Sequence, residues 1–186
     1  MFMTRNSRFR RRREGVTDYR KRLAMVKSGM DRVTVRKSNR RIIGQVIKYE
    51  REGDRVLAAV DSNELVRMDW PSRGNRPTAY LAGLLLARKA NKLKEKEMIL
   101  DIGLASPIKG SIPFVFAKGC VDGGLKLKGK FEIDEKSYNS SATGAYAEEL
   151  KKRGNAINFA VYAKKGVSAS SLPELFNKTK EKILKS

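Results

Sequence analysis

The sequence predicts an α/β fold: a mixed sheet with an antiparallel three-stranded meander and a strand–helix–strand crossover, with helices packed on it. Three observations carry this. Apolar residues recur with period two through three adjacent runs between residues 32 and 62. The period then changes to helical in PTAYLAGLLLARKANKLK. A further apolar run, EMILDIGLA, is followed by a second helical stretch, PFVFAKGCVDGGL. The order β-β-β-α-β-α buries best as a sheet covered by helices.

The elements follow in chain order. Residues 1–31 lack apolar periodicity and read as a basic arm. It contains one short helix around TDYRKRLAMVKSG, with Thr17 as cap, Tyr19, Leu23 and Val26 on one face, and Gly29 as the stop. RVTVRKSN alternates Val33 and Val35 against Arg32, Thr34 and Arg36, as a half-buried strand does. IIGQVIKY, the turn EREGDR and RVLAAVDS complete the meander. In the next helix Thr78 is the expected cap. Tyr80, Leu81, Leu84 and Leu85 form its apolar stripe, and Arg88, Lys89 and Lys92 gather at its C-terminal end, where the helix dipole favours cations. EMILDIGLA reads as a largely buried strand. In the second helix Pro113 belongs to the first turn, Phe114, Ala117, Val121 and Leu125 are placed on one face, and Gly123 and Gly124 end it. Beyond about Lys128 the apolar density falls. TGAYAEELKKRG reads as a short helix, acidic at its start and basic at its end, and SLPELFNKTKEKILKS as an amphipathic piece carrying Leu175, Phe176 and Ile183. The expected organisation is an arm over 1–31, an α/β core over 32–130 and a C-terminal extension over 131–186.

Charge and composition narrow the function. Lys and Arg number 41 against 20 Asp and Glu, a formal charge of +21. Residues 1–50 hold 16 of those cations and 4 acids. Such a field repels itself in a compact monomer and calls for a polyanion, nucleic acid before an acidic membrane. With no histidine and a single cysteine, the chain has no Cys/His zinc set, no internal disulfide and no His-activated nucleophile. Cys120, in FVFAKGCV, reads as a small buried hydrophobe. No apolar stretch approaches the roughly 20 residues of a bilayer span, and no secretory signal opens the chain, so an intracellular location is expected.

Two stretches are candidate RNA contacts. The arm RNSRFRRRREGVTDYRKRL offers Arg5, Arg8, Arg10, Arg11, Arg12, Arg13, Arg20, Lys21 and Arg22 against only Glu14 and Asp18. Arginine dominates, and its planar fork grips phosphate bidentately where lysine acts as a hydrated point charge. Phe9 and Tyr19 supply faces for an unstacked base. The second stretch is the corner RKSNRR, where Arg36, Lys37, Arg40 and Arg41 crowd a tight turn. Asn39 suits a left-handed position there. A catalytic alternative pairs Asp61 and Asp101 on neighbouring strands as Mg²⁺ ligands of a nuclease, on a motif as weak as D-x-G. SPIKGS lacks the spacing of a P-loop, and no metal or cofactor is expected.

RFRRRREGVTDYRKRL, RVTVRKSNRRIIGQVI, AYLAGLLLARKA and ILDIGLASPIKGSIPFVFAKGCVDGGL occur in the order found in the ribosomal protein L-eighteen family, which the chain resembles over about residues 5–130. The likeness is to the archaeal form, equivalent to eukaryotic L-five. It implies a core akin to the ribonuclease H-like group without nuclease activity. The implied role is to bind 5S rRNA and attach it to 23S rRNA in the central protuberance of the large subunit, among neighbouring ribosomal proteins of the cytoplasmic ribosome. Carried over, Arg8, Arg10, Arg11, Arg12, Arg13, Tyr19, Arg20 and Arg22 fall in the family's RNA-binding arm. Arg36, Lys37, Asn39, Arg40 and Arg41 fall in its strand-connecting corner, and Asp101 matches a sheet residue with no catalytic role.

Overall fold

The computed structural model describes residues 7–93, 95–152, 162 and 166–185. Its centre is a five-stranded sheet in the order β3-β2-β1-β4-β5. β1 (Asp31–Lys37), β2 (Ile42–Glu50) and β3 (Gly53–Asp61) form the antiparallel meander. β4 (Glu97–Asp101) runs parallel to β1, and the two-residue β5 (Lys126–Leu127) runs parallel to β4. β5 carries no sequence signal, being too short to show a period.

Helices α1 (Arg10–Arg13) and α2 (Tyr19–Lys27) belong to the arm. α3 (Arg76–Lys89) and α4 (Ile112–Asp122) cover one face of the sheet. α5 (Ser141–Lys152) and α6 (Leu172–Lys185) follow. Val33, Val35, Ile42, Val46, Val60 and Met98 join Tyr80, Leu81, Leu84, Phe116 and Cys120 in one buried apolar cluster. Tyr138, Phe176 and Ile183, from the C-terminal third, belong to the same cluster. Tyr138 stacks on Tyr80 with ring centroids 4.4 Å apart, and Phe176 meets Trp70 edge-on at 6.0 Å. Packed between the sheet and this tail, α3 is buried on all sides from Pro77 to Ala87, where the sequence suggested one stripe.

α3 and α4 cross at close range because glycines meet there. A Cβ built on Gly83 would lie 2.1 Å from the Phe116 carbonyl oxygen, and one on Gly119 would lie 2.2 Å from that of Tyr80. The two backbones approach through these reciprocal gaps. The buried face of α4 is accordingly Pro113, Val115, Phe116, Ala117, Gly119 and Cys120. Phe114 is only half-buried and Val121 is exposed, so the expected 114/121 face is corrected.

Capping also departs from expectation. Asp18, not Thr17, caps α2, accepting from the Arg20 and Lys21 amides. Asn75, not Thr78, caps α3. Thr78 Oγ1 instead accepts from the Trp70 indole at 2.9 Å and from the Arg73 amide. In both cases two polar residues compete near the helix start, and tertiary partners decide between them. The acids of α5, Glu148 and Glu149, lie past its middle and not in its first turn.

Candidate nucleic-acid interface

Period two along β1 puts Val33 and Val35 toward the helices and Arg32, Thr34 and Arg36 on the opposite face. That second face carries the arm. α2 has no fully buried residue, yet on this face Arg32 is only 2% exposed and Thr34 5%. β1 is therefore buried on both faces at these positions, where the sequence suggested one.

A charged Arg32 in that setting needs partners, and they come from strands on either side of β1. Arg32 Nη2 donates to Asp54 Oδ2 at 2.8 Å, and Nη1 lies 3.7 Å from Asp101 Oδ2. Arg22 of α2 donates to the same Asp54 oxygen at 2.8 Å, which ties the arm to β3. Burial opposes the charge on Asp54, but Arg32 and then Arg22 outweigh it and hold the carboxyl below its usual range. At the other end Arg36 donates to Asp101 Oδ2 (3.2 Å), to the Asp101 carbonyl (3.0 Å) and to the Val35 carbonyl (2.9 Å). Asp101 Oδ1 accepts from the Gly103 amide. The result is a chain of charges, Arg22–Asp54–Arg32–Asp101–Arg36, running across the sheet. Arg32 and Asp54 are missed by sequence reasoning, because residues 22 positions apart carry no local signal of pairing.

The same geometry removes the paired-carboxylate alternative. Asp61 ends β3 and Asp101 ends β4, with β2 and β1 between them. Three strand spacings put them roughly 14 Å apart across the sheet. Asp101 is engaged with arginines, and Asp61 caps the 3-10 turn Ser62–Met68.

The arm presents its cations outward. α1 is a single exposed turn of four arginines. Arg10 pairs with Glu14 at 3.5 Å, and Arg11 donates Nε to Thr17 at 2.8 Å. Arg8, Arg12, Arg13, Arg20 and Lys21 are exposed with no acidic partner among the described residues. Phe9 is 73% exposed and tilts against half-buried Tyr19 at 5.4 Å. Arg5 lies outside the described residues.

The corner lies between interior strands β1 and β2, at the end of the sheet and not along an edge. Ser38 closes it, its amide and hydroxyl donating to the Arg41 carbonyl and its oxygen accepting from the Arg41 amide. Lys37, Asn39, Arg40 and Arg41 are all exposed. Arg41 reaches Asp61 at 3.4 Å, while Lys37 and Arg40 have no acidic partner among the described residues. Among the described residues the left-handed non-glycine positions are Asp69 and Ser140, so Asn39 does not adopt the conformation expected of it. The serine clasp makes that conformation unnecessary.

A helix-backed sheet whose other face bears an arginine-rich arm, with most of the described arm cations lacking an acidic partner among the described residues, defines a basic α/β protein built to present positive charge. The family model described as "Ribosomal large subunit proteins 60S L5, and 50S L18" matches residues 5–99. The chain is also 42% identical over 181 residues to the "Large ribosomal subunit protein uL18" of Methanococcus maripaludis, covering 95% of this chain and 94% of that relative. The chain belongs to this family of large-subunit ribosomal proteins. Among the described residues no helix is long and apolar enough to cross a membrane.

Proposed function

We propose that this chain binds 5S rRNA and attaches it to 23S rRNA in the central protuberance, as a structural constituent and not an enzyme, beside neighbouring large-subunit proteins of the cytoplasmic ribosome. The observation that carries the reading is the set of cations with no acidic partner among the described residues, Arg8, Arg12, Arg13, Arg20 and Lys21 on the arm with Lys37 and Arg40 at the corner. In a free protein they repel one another. Against an RNA backbone each guanidinium finds a phosphate and releases counterions.

Recognition by this surface depends mainly on RNA shape, because the deep, narrow major groove of A-form RNA hides base edges from side chains. Phosphate and 2′-hydroxyl contacts position the arm, and Phe9 and Tyr19 offer stacking faces beside its arginines. The Arg22–Asp54 pair sets the arm's orientation before RNA arrives, so less ordering entropy is lost on binding.

The test is the affinity for a 5S rRNA transcript as a function of salt. Six to ten phosphate contacts would lower it about 10³- to 10⁵-fold between 50 and 200 mM salt. Replacing Arg10, Arg11, Arg12 and Arg13 by Gln should flatten the slope of log K against log salt by about one for each phosphate no longer neutralised, with the core still folded. A salt-insensitive affinity, or a slope unchanged in that variant, refutes the assignment.

A further inference from the structure

Between the arm and the sheet lies a cleft of about 430 Å³ that the electrostatic reading does not use. Its walls include Val16, Lys21 and Met25 from the arm, Arg36 from β1, and Gly103 and Leu104 from the loop after β4. The two acids that also line it are engaged, Asp18 by the Arg20 and Lys21 amides and Asp101 by Arg32 and Arg36. The volume falls within the range of small-molecule sites. A stacked duplex, convex and rigid, cannot enter such a concavity; an extruded nucleotide can.

Three features of the cleft fit a nucleotide. First, Arg36 is a prepared platform. Three hydrogen bonds fix its guanidinium, yet half of the side chain remains exposed. Gly103 permits this: it sits at φ +64°, and a Cβ there would come within 3.1 Å of the guanidinium carbon. A fixed, half-exposed guanidinium plane stacks on a base at little entropic cost. Second, the walls beside it leave apolar surface to solvent, with Val16 50% exposed on the arm and Leu104 57% exposed on the loop. Third, the cleft carries charge for a backbone phosphate. Among the described residues Lys21 has no acidic partner, and Arg11, also lining the cleft, uses only Nε. Apolar walls, a cationic plane and unpaired cations match a flat base attached to an anionic backbone.

We propose that this cleft seats one unpaired nucleotide of the bound RNA, its base on the Arg36 guanidinium between Val16 and Leu104 and its phosphate on Arg11 and Lys21. The proposal rests on the RNA-binding function above and adds a site that reads a splayed base.

The test fills the cleft without altering charge. Leu104→Trp and Val16→Trp, introduced into the full chain from opposite walls, are compared with Arg12→Gln, a cation outside the cleft. Each is titrated against a 5S rRNA transcript over a salt series, with 2′-hydroxyl acylation of every nucleotide and circular dichroism to verify folding. Either tryptophan should weaken binding about 5- to 150-fold, the range of one base–platform contact, with the salt slope unchanged. A nucleotide protected in the wild-type complex should regain reactivity. Arg12→Gln should lower the slope by about one and leave that nucleotide protected. Tryptophan variants that bind as tightly as wild type with the same protection pattern overturn the cleft assignment alone. A tryptophan variant that loses affinity together with salt slope also overturns it, since the substitution would then have displaced phosphates and not a base. Wild-type protein that fails to bind the transcript overturns the underlying RNA reading.

Discussion

Asp54→Asn tests whether the charge chain holds the arm and sheet together. Arg32 is the reason to expect a large effect: its side chain is 3% exposed, and Asp54 is its closest acidic partner, at 2.8 Å. Removing one partner of a buried ion pair costs about 3–5 kcal/mol, because the remaining charge is left without compensation. Two features reduce that here. Asp101 still lies 3.7 Å from Arg32, and the Asp54 side chain is 22% exposed, so water reaches the site. The expected loss is about 2–3 kcal/mol, read in urea denaturation as a midpoint lowered by roughly 1 M. Arg22→Gln removes only the arm's side of the same carboxylate. Arg22 is 41% exposed, so its loss should cost no more than about 1 kcal/mol while accelerating proteolysis within residues 7–27. The pH dependence has a definite sign. Asp54 is held below its ordinary value of 3.8, so its contribution is present above that value and lost as pH falls through the lower folded one. The difference between wild type and Asp54→Asn should therefore be full near neutrality and shrink below about pH 4. An Asp54→Asn protein within about 0.5 kcal/mol of wild type, or a difference that persists in acid, would refute the role given to this carboxylate.

Gly83→Ala should destabilise the core by at least about 2 kcal/mol in thermal or urea unfolding, since the new methyl would drive α4 away from α3. Gly119→Ala should do the same, and the double variant should cost less than the sum, because the helices part only once; strict additivity would count against the reciprocal crossing. Phe176→Ala, in a fully buried position against Trp70 and Tyr80, should cost about 3–5 kcal/mol and alter Trp70 fluorescence. An unchanged melting temperature would show that the tail does not share the core. Cys120 is fully buried and its thiol is pushed up by that burial, so a thiol reagent should label it only on unfolding. Rapid labelling of native protein would contradict its placement.

Much of this architecture is legible along the chain because it is periodic. Alternation at Val33 and Val35 marks β1, and the apolar run 79–87 marks α3. The density of arginine at residues 10–13 marks a strongly basic arm without reference to any contact, since charge acts at a distance and accumulates in composition. The candidate cations are likewise visible one by one. Which of them are engaged within the chain is not: Arg22 and Arg36 are held by Asp54 and Asp101, while Arg12, Arg20 and Arg40 have no such partner among the described residues.

By itself the sequence determined the succession of elements, the basic arm and the absence of histidine-dependent chemistry, all properties of local pattern and composition. Tertiary structure alone decided the strand order that separates Asp61 from Asp101 and the burial of Arg32 between Asp54 and Asp101. It also decided the caps at Asp18 and Asn75, the two-glycine crossing and the arm–sheet cleft. Each of these depends on groups distant in sequence or on competition between neighbouring polar residues, and packing settles such choices where propensity leaves them open.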